Sequence, residues 1–221
     1  MSSTSNPTPS ARTRVVREPH RGVYDRDAIN QILDEGLICH VGFVVDGQPY
    51  VIPTLYGRSG DALYLHGSVA SRMLRTLEKG VPVSVTVTLV DGLVLARSIF
   101  NHSMNYRSVV VLGTATLVSD PEEKLAGLRA LSEHVLPRRW DEVRQPSDKE
   151  LKVTSLLRIP LEECSAKVRT GPPIDDEGDY SFPTWAGVIP LEMKAGAPIR
   201  DERCEHEFPE YLRNYRRKKV E

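Results

Sequence analysis

The sequence predicts a mainly β fold, a small antiparallel barrel of hairpin-linked strands with helices inserted between them. Three observations carry this. Asp46-Gly47 sits between two apolar stretches as a type I′ hairpin signal. Val81–Leu89 alternates with period two, its valines pointing one way and Pro82, Ser84, Thr86 and Thr88 the other. Strand-like stretches also follow one another directly, whereas a doubly wound sheet would alternate them with helices.

Composition sets the frame for these elements. The 221 residues are 40% hydrophobic and 27% charged, the balance of a soluble globular protein. A formal net charge of −1 gives no electrostatic reason to expect nucleic acid or an acidic membrane as partner. No apolar run approaches the roughly 20 residues that span a bilayer. The stretch 1–14 lacks the apolar segment of a secretory signal. Cys39, Cys164 and Cys204 are odd in number and widely spaced, which argues for a reducing, cytoplasmic setting.

Residues 1–20 are expected to form a disordered tail, poor in anything to bury. Arg12, Arg14, Arg17 and Arg21 make it mildly basic, which fits a solvated tail better than a nucleic-acid arm. From Asp25, Ile29, Ile32 and Leu33 mark a short amphipathic helix stopped by Gly36. Leu37–Val45 and Gln48–Tyr56 are the hairpin strands. Asp61–His66 is a third strand after a turn at Arg58–Gly60, and Ser68–Glu78 a helix. Tyr106–Val118 is a long strand with Gly113 at a bend. Asp120 as cap, Pro121 at the first position and Glu123 at the third open a helix that runs to Val135. Ser155–Arg169 is a last strand, broken or bulged at Pro160. Residues 172–221, rich in proline, form an extension that packs on the barrel or on a dimer mate.

Two segments concentrate chemistry. In Tyr64–Arg72 a strand ends at His66, Gly67 allows a tight turn, and Ser71 and Arg72 open a helix. Such a turn could receive a phosphate, or it could be an ordinary Ser-capped helix with a solvated Arg. Phe100–Val109 places Asn101, His102, Asn105 and Arg107 at the mouth of an apolar strand, either to meet a ligand or to satisfy one another. His40 reads as a core or rim histidine. No HxH, HxxxH or CxxC spacing supports a metal site, and no GxSxG supports a hydrolase. Trp185 anchors the extension or lids a planar ligand.

These residues together resemble the pyridoxamine 5′-phosphate oxidase-like family of flavin-binding split barrels, in the branch grouped with 5-nitroimidazole-resistance proteins. The resemblance spans about 21–171. It rests on Tyr50-Val51-Ile52-Pro53-Thr54, on Leu65-His66-Gly67 with Ser71-Arg72, and above all on Asn105–Val109 leading to Gly113-Thr114-Ala115. It implies a six-stranded antiparallel split barrel and a homodimer with two FMN clefts at its interface. Ile52, Pro53 and Thr54 would then lie along the isoalloxazine edge, His66 near the ring or ribityl chain, and Ser71 and Arg72 on the phosphate. Arg107 and Ser108 would close the cleft across the dimer. The implied activity is FMN-dependent electron or hydride transfer to or from a small molecule, with His66 facing the substrate. The alternative is a non-catalytic flavin or haem binder, with His40, His66 or His102 as axial ligand. A Gly and a Lys common in the family's phosphate segment are replaced here by Ser71 and Met73, which leaves the charge to Arg72, alone or with Arg75.

Overall fold

The structure, a computed structural model, describes residues 9–213 and 215. In chain order its strands are β1 (Gly22–Val23), β2 (Ile38–Val45), β3 (Gln48–Leu55), β4 (Gly57–Ser59), β5 (Ala62–Ser68), β6 (Pro82–Leu95), β7 (Ser103–Thr114), β8 (Thr116–Leu117), β9 (Thr154–Pro160), β10 (Glu163–Arg169) and β11 (Gly187–Pro190). The helices are α1 (Arg26–Glu35), α2 (Arg72–Leu77), α3 (Pro121–Val135), α4 (Asp148–Val153) and α5 (Glu210–Arg213). The strands form two antiparallel sheets. One runs β1-β10-β7-β6-β2-β3, with β11 added beside the far end of β6; the other runs β4-β5-β9-β8. The mainly β, antiparallel expectation therefore holds, with short extra strands beyond the expected six.

Local chemistry explains the elements that the sequence announces. Asp46 and Gly47 both take positive φ (49° and 78°), the I′ geometry that pairs Val45 with Gln48. Asp25 and Asp120 accept from the Ala28 and Glu123 N–H groups and cap α1 and α3. Val83, Val85 and Val87 enter the core beside Val41, Val109 and Val111, with Leu63, Leu65, Leu157 and Ile159 facing them from the second sheet. A smaller cluster of Ala62, Tyr64, Leu131 and Leu156 lies beneath α3. Gly57 is required where β4 meets that helix: a Cβ there would lie 2.7 Å from the Leu131 nitrogen.

Several elements depart from expectation. Arg58 and Ser59 belong to β4, and the turn falls one step later, at Gly60-Asp61. The strand β5 continues through Ser68, paired with Thr154, so the helix expected over Ser68–Glu78 shrinks to Arg72–Leu77. The strand expected to end at Leu89 passes through a bulge at Val90/Gly92 and runs to Leu95. The strand expected to begin at Tyr106 begins three residues earlier, so part of the polar segment at its mouth is itself strand from Ser103. The single strand expected over Ser155–Arg169 is two strands in different sheets: Pro160 ends β9, and buried Leu161, bonded through its N–H to the Asp61 carbonyl, turns the chain into β10. His40 is exposed on the outer face of β2, opposite Pro53 and Thr86, not in the core.

Of the expected tail, residues 1–8 lie outside the described residues. From residue 9 the chain follows the body: Thr13 is buried, Arg12 pairs with Glu163, and the Val15 N–H donates to Tyr24 Oη. No described helix is long and apolar enough to cross a membrane.

Candidate functional site

The antiparallel registers sort the expected site residues by face. Tyr50, Ile52 and Thr54 lie opposite Phe43, Val41 and Cys39, so they lean toward the core and are half-buried. Pro53 points to the other side with Val51 and Leu55, and all three are exposed. The side chain of Arg72 lies over the Tyr50 ring, 4.7 Å from its centroid, and its guanidinium has no carboxylate partner among the described residues. Ser71 caps α2 by accepting from the Leu74 N–H, which leaves its hydroxyl hydrogen available to a ligand. With only six residues, α2 contributes little dipole, so any anion held here depends on the Arg72 side chain.

Arg107 stands elsewhere. Val41 is level with both Ile52 and Val85, whereas Arg107 is level with Leu89, four residues further along β6 and about 13 Å away. Its guanidinium forks onto both oxygens of Glu35 and both of Asp91. The hydrogen bonds it donates to Glu35 and then to Asp91 raise its pKa further above the usual arginine range. With two carboxylates against one cation, Arg107 carries no spare positive charge toward a phosphate. Ser108 faces the opposite side of β7 and donates to the Lys167 carbonyl. The structure thus gathers Ile52, Thr54, Ser71 and Arg72 around Tyr50, and sets Arg107 and Ser108 apart from them.

His66 opens into a groove of about 420 Å³ between β5 and α3. Leu55, Leu128, Leu131, Val135 and Trp140 make it largely apolar, and Arg144, paired with Glu150, stands at its edge. Atoms packed behind the imidazole desolvate it and lower its pKa, although its outer edge remains exposed. The ring is therefore neutral near pH 7, the form that can accept a proton or bind a metal. Leu55 links the groove to the exposed Pro53 and Val51 along β3. Sequence reasoning missed the α3 wall and Trp140, which are brought to His66 only by tertiary packing. It also missed Glu35 and Asp91, though an Arg inside an apolar strand is itself a sign that carboxylates face it. Among the described residues no group of three His, Cys, Asp or Glu is placed to hold a metal ion.

A family profile described as pyridoxamine 5′-phosphate oxidase matches residues 25–168, from the cap of α1 to the end of β10. This chain belongs to the pyridoxamine 5′-phosphate oxidase family. Within that family, a solved flavocytochrome, Anf3 from Azotobacter vinelandii, is 42% identical, with a TM-score of 0.89 over 95% of this chain and 99% of that one. An FAD and heme binding protein from Mycobacterium smegmatis is 36% identical, with a TM-score of 0.84 over 87% of this chain and 96% of its own. A candidate 5-nitroimidazole antibiotic resistance protein from Bacteroides thetaiotaomicron is 26% identical, with a TM-score of 0.57 over 66% of this chain and 86% of its own. No curated protein sequence matches. The two more similar structures extend well past the family core, so this member shares part of its extension with them.

Proposed function

We propose that this chain is a flavin-binding redox protein that also carries haem, working as a cytoplasmic homodimer with its cofactor clefts between protomers. The observation that carries the reading is the 42% identity to a flavocytochrome over nearly the whole of both chains. A match confined to the family core would support flavin chemistry of any kind; one that includes the extension favours this branch. The expectation of FMN gives way here to a preference for FAD, because the 36% identical protein is named for FAD and heme.

The residues fit these groups. Arg72, held over Tyr50 and free of carboxylates, would bind a flavin phosphate, with Arg75 on the next turn available to a second one. Ile52 and Thr54, on the same face of β3 as Tyr50, would border the ring system. A flavin there would supply the electron or hydride transfer, leaving the protein to bind and orient. His66, neutral and facing an apolar groove, is the histidine best placed to ligate haem iron, whereas His40 and His102 stand exposed on the surface. The same geometry would let His66 face a small-molecule substrate if no haem binds there.

The absorption spectrum of the purified protein, before and after adding FAD and haemin, tests this. Flavin bands near ~450 and ~375 nm together with a Soret band are expected. Chromatography of the released flavin separates FAD from FMN. His66→Ala should abolish the Soret band and keep the flavin. Arg72→Ala should weaken flavin binding by about 1.5–3 kcal/mol, the worth of a hydrogen bond to a charged group. A folded protein that takes up neither chromophore would overturn the proposal.

A further inference from the structure

We propose that Arg169, at the end of β10, binds an oxyanion, the carboxylate or phosphate group of a small molecule, with Arg21 and Tyr106 beside it. In the sheet, β10 stands four strands away from the β3 that carries Tyr50, so this site is separate from the flavin reading.

Three partly buried arginines of this protein each meet a carboxylate. Arg58 is paired with Asp34, Arg97 with Asp175, and Arg107 with Glu35 and Asp91. Arg169 is more buried than any of them, at 7% exposure, yet it pairs with no carboxylate among the described residues. Its guanidinium meets neutral acceptors instead. Nη1 donates to Asn105 Oδ1 and, at 3.5 Å, to the Gly171 carbonyl; Nη2 donates to the Pro172 carbonyl at 3.3 Å. A charge withdrawn from water without an opposite charge is costly, and neutral acceptors offset that cost only in part.

The edge left open has a definite shape. Arg58 receives Asp34 on Nε and Nη2, and Arg107 receives Asp91 on the same two nitrogens. On Arg169, Nε donates to nothing among the described residues, and Nη2 has only the long bond to Pro172. Nε is not sealed from solvent either, so a ligand can reach it. Two N–H groups side by side match two oxygens of a carboxylate or phosphate.

The neighbours add positive charge. Arg21 stands close enough that, after desolvation, its charge is the next cause lowering the Arg169 pKa. Its own partner, Glu18 at 3.4 Å, is shared with His20. Around this pair, residues 9–23 and β10 hold six arginines and lysines against Glu18 and Glu163, in a chain of net charge −1. Glu163 is taken by Arg12. Tyr106 sits directly across from Arg169 in the β7–β10 register, so both side chains leave the sheet on one side. Its hydroxyl has no hydrogen-bond partner among the described residues and can donate to the same anion. A fork, a second cation and a phenol thus converge where no anion of the described chain reaches.

The test follows the side chain itself, by nuclear magnetic resonance of the isotope-labelled full chain. The Arg169 Nε–H signal is assigned by its loss in Arg169→Lys. It is then followed as sodium phosphate or sodium acetate is added, with sodium chloride at equal ionic strength as reference. A shift that saturates at millimolar phosphate or acetate is expected, and the more effective of the two names the ligand class. Arg21→Gln, which leaves the bonds from Arg169 to Asn105 and Pro172 in place, should weaken the binding several-fold. Tyr106→Phe should weaken it less, and Arg72→Ala should leave the titration unchanged. A signal that chloride moves as far as either oxyanion would overturn the proposal. So would a signal already shifted without added anion and following protein concentration, because a carboxylate of a second copy would then fill the edge.

Discussion

The body and the arm, where β6 and β7 run on past the bulge at Val90/Gly92 with β11 alongside, solve opposite problems with the same backbone. In the body, β6 and β7 carry Val83, Val85, Val87, Val109 and Val111 into a core closed by the second sheet, and Arg107 beside them is held by two carboxylates. In the arm the same two strands carry Leu93 and Met104 into solvent, and order comes from polar clamps such as Asp175 with Arg97. Burial stabilises the first; a few directed hydrogen bonds hold the second in shape. A buried core and an exposed apolar row thus follow one another along the length of one hairpin.

Substitutions should reproduce that division, and the largest effect belongs to the body. Leu157→Ala removes a side chain with no solvent exposure from between the sheets and should cost about 2–5 kcal/mol, read as a lower denaturant midpoint at unchanged slope. If an arm substitution costs as much, the separation fails. Arg107→Met leaves Glu35 and Asp91 facing each other half-buried, and should cost about 1–3 kcal/mol.

Asp175→Ala is expected to act locally. Amide exchange at 187–190 should speed up while the midpoint of the body hardly moves. Acid should have the same result. Burial raises the Asp175 pKa, but bonds from Arg97 and Ser98 lower it more, and it ends below the ordinary value of 3.8. Its contribution is therefore complete above pH 3.8 and is lost as pH falls through the lower folded value. Hydrogen exchange followed across that window should show the extension loosening. The smallest effect is expected from Ile189→Ala, within about 0.5 kcal/mol, read as a nearly unchanged denaturant midpoint.

What could be read from the sequence follows the range of the interactions. The Asp46-Gly47 turn, the Asp120-Pro121 helix start and the Val83–Val87 alternation depend on neighbours a few residues away, and each appears where expected. The strand character of Ser103–Asn105 was hidden because Asn105 finds its partners, Arg169 and the Gly171 carbonyl, more than sixty residues later. Ile52, Thr54, Ser71 and Arg72 were legible as a group because one hairpin and one turn carry them. The His66 groove was not, since α3 reaches it from the far side of the second sheet. Nor was β11, four residues paired with the edge of β6.

The corner at Leu161 has a mechanical consequence. Only Leu161 and Glu162 separate β9 from β10, yet those strands belong to different sheets. A tug that peels β10 from β7 is handed straight to β9, with no slack in which to dissipate it. The two sheets are thereby coupled as by a short, stiff tether. A spacer of flexible residues spliced in at this point should let one sheet breathe without the other.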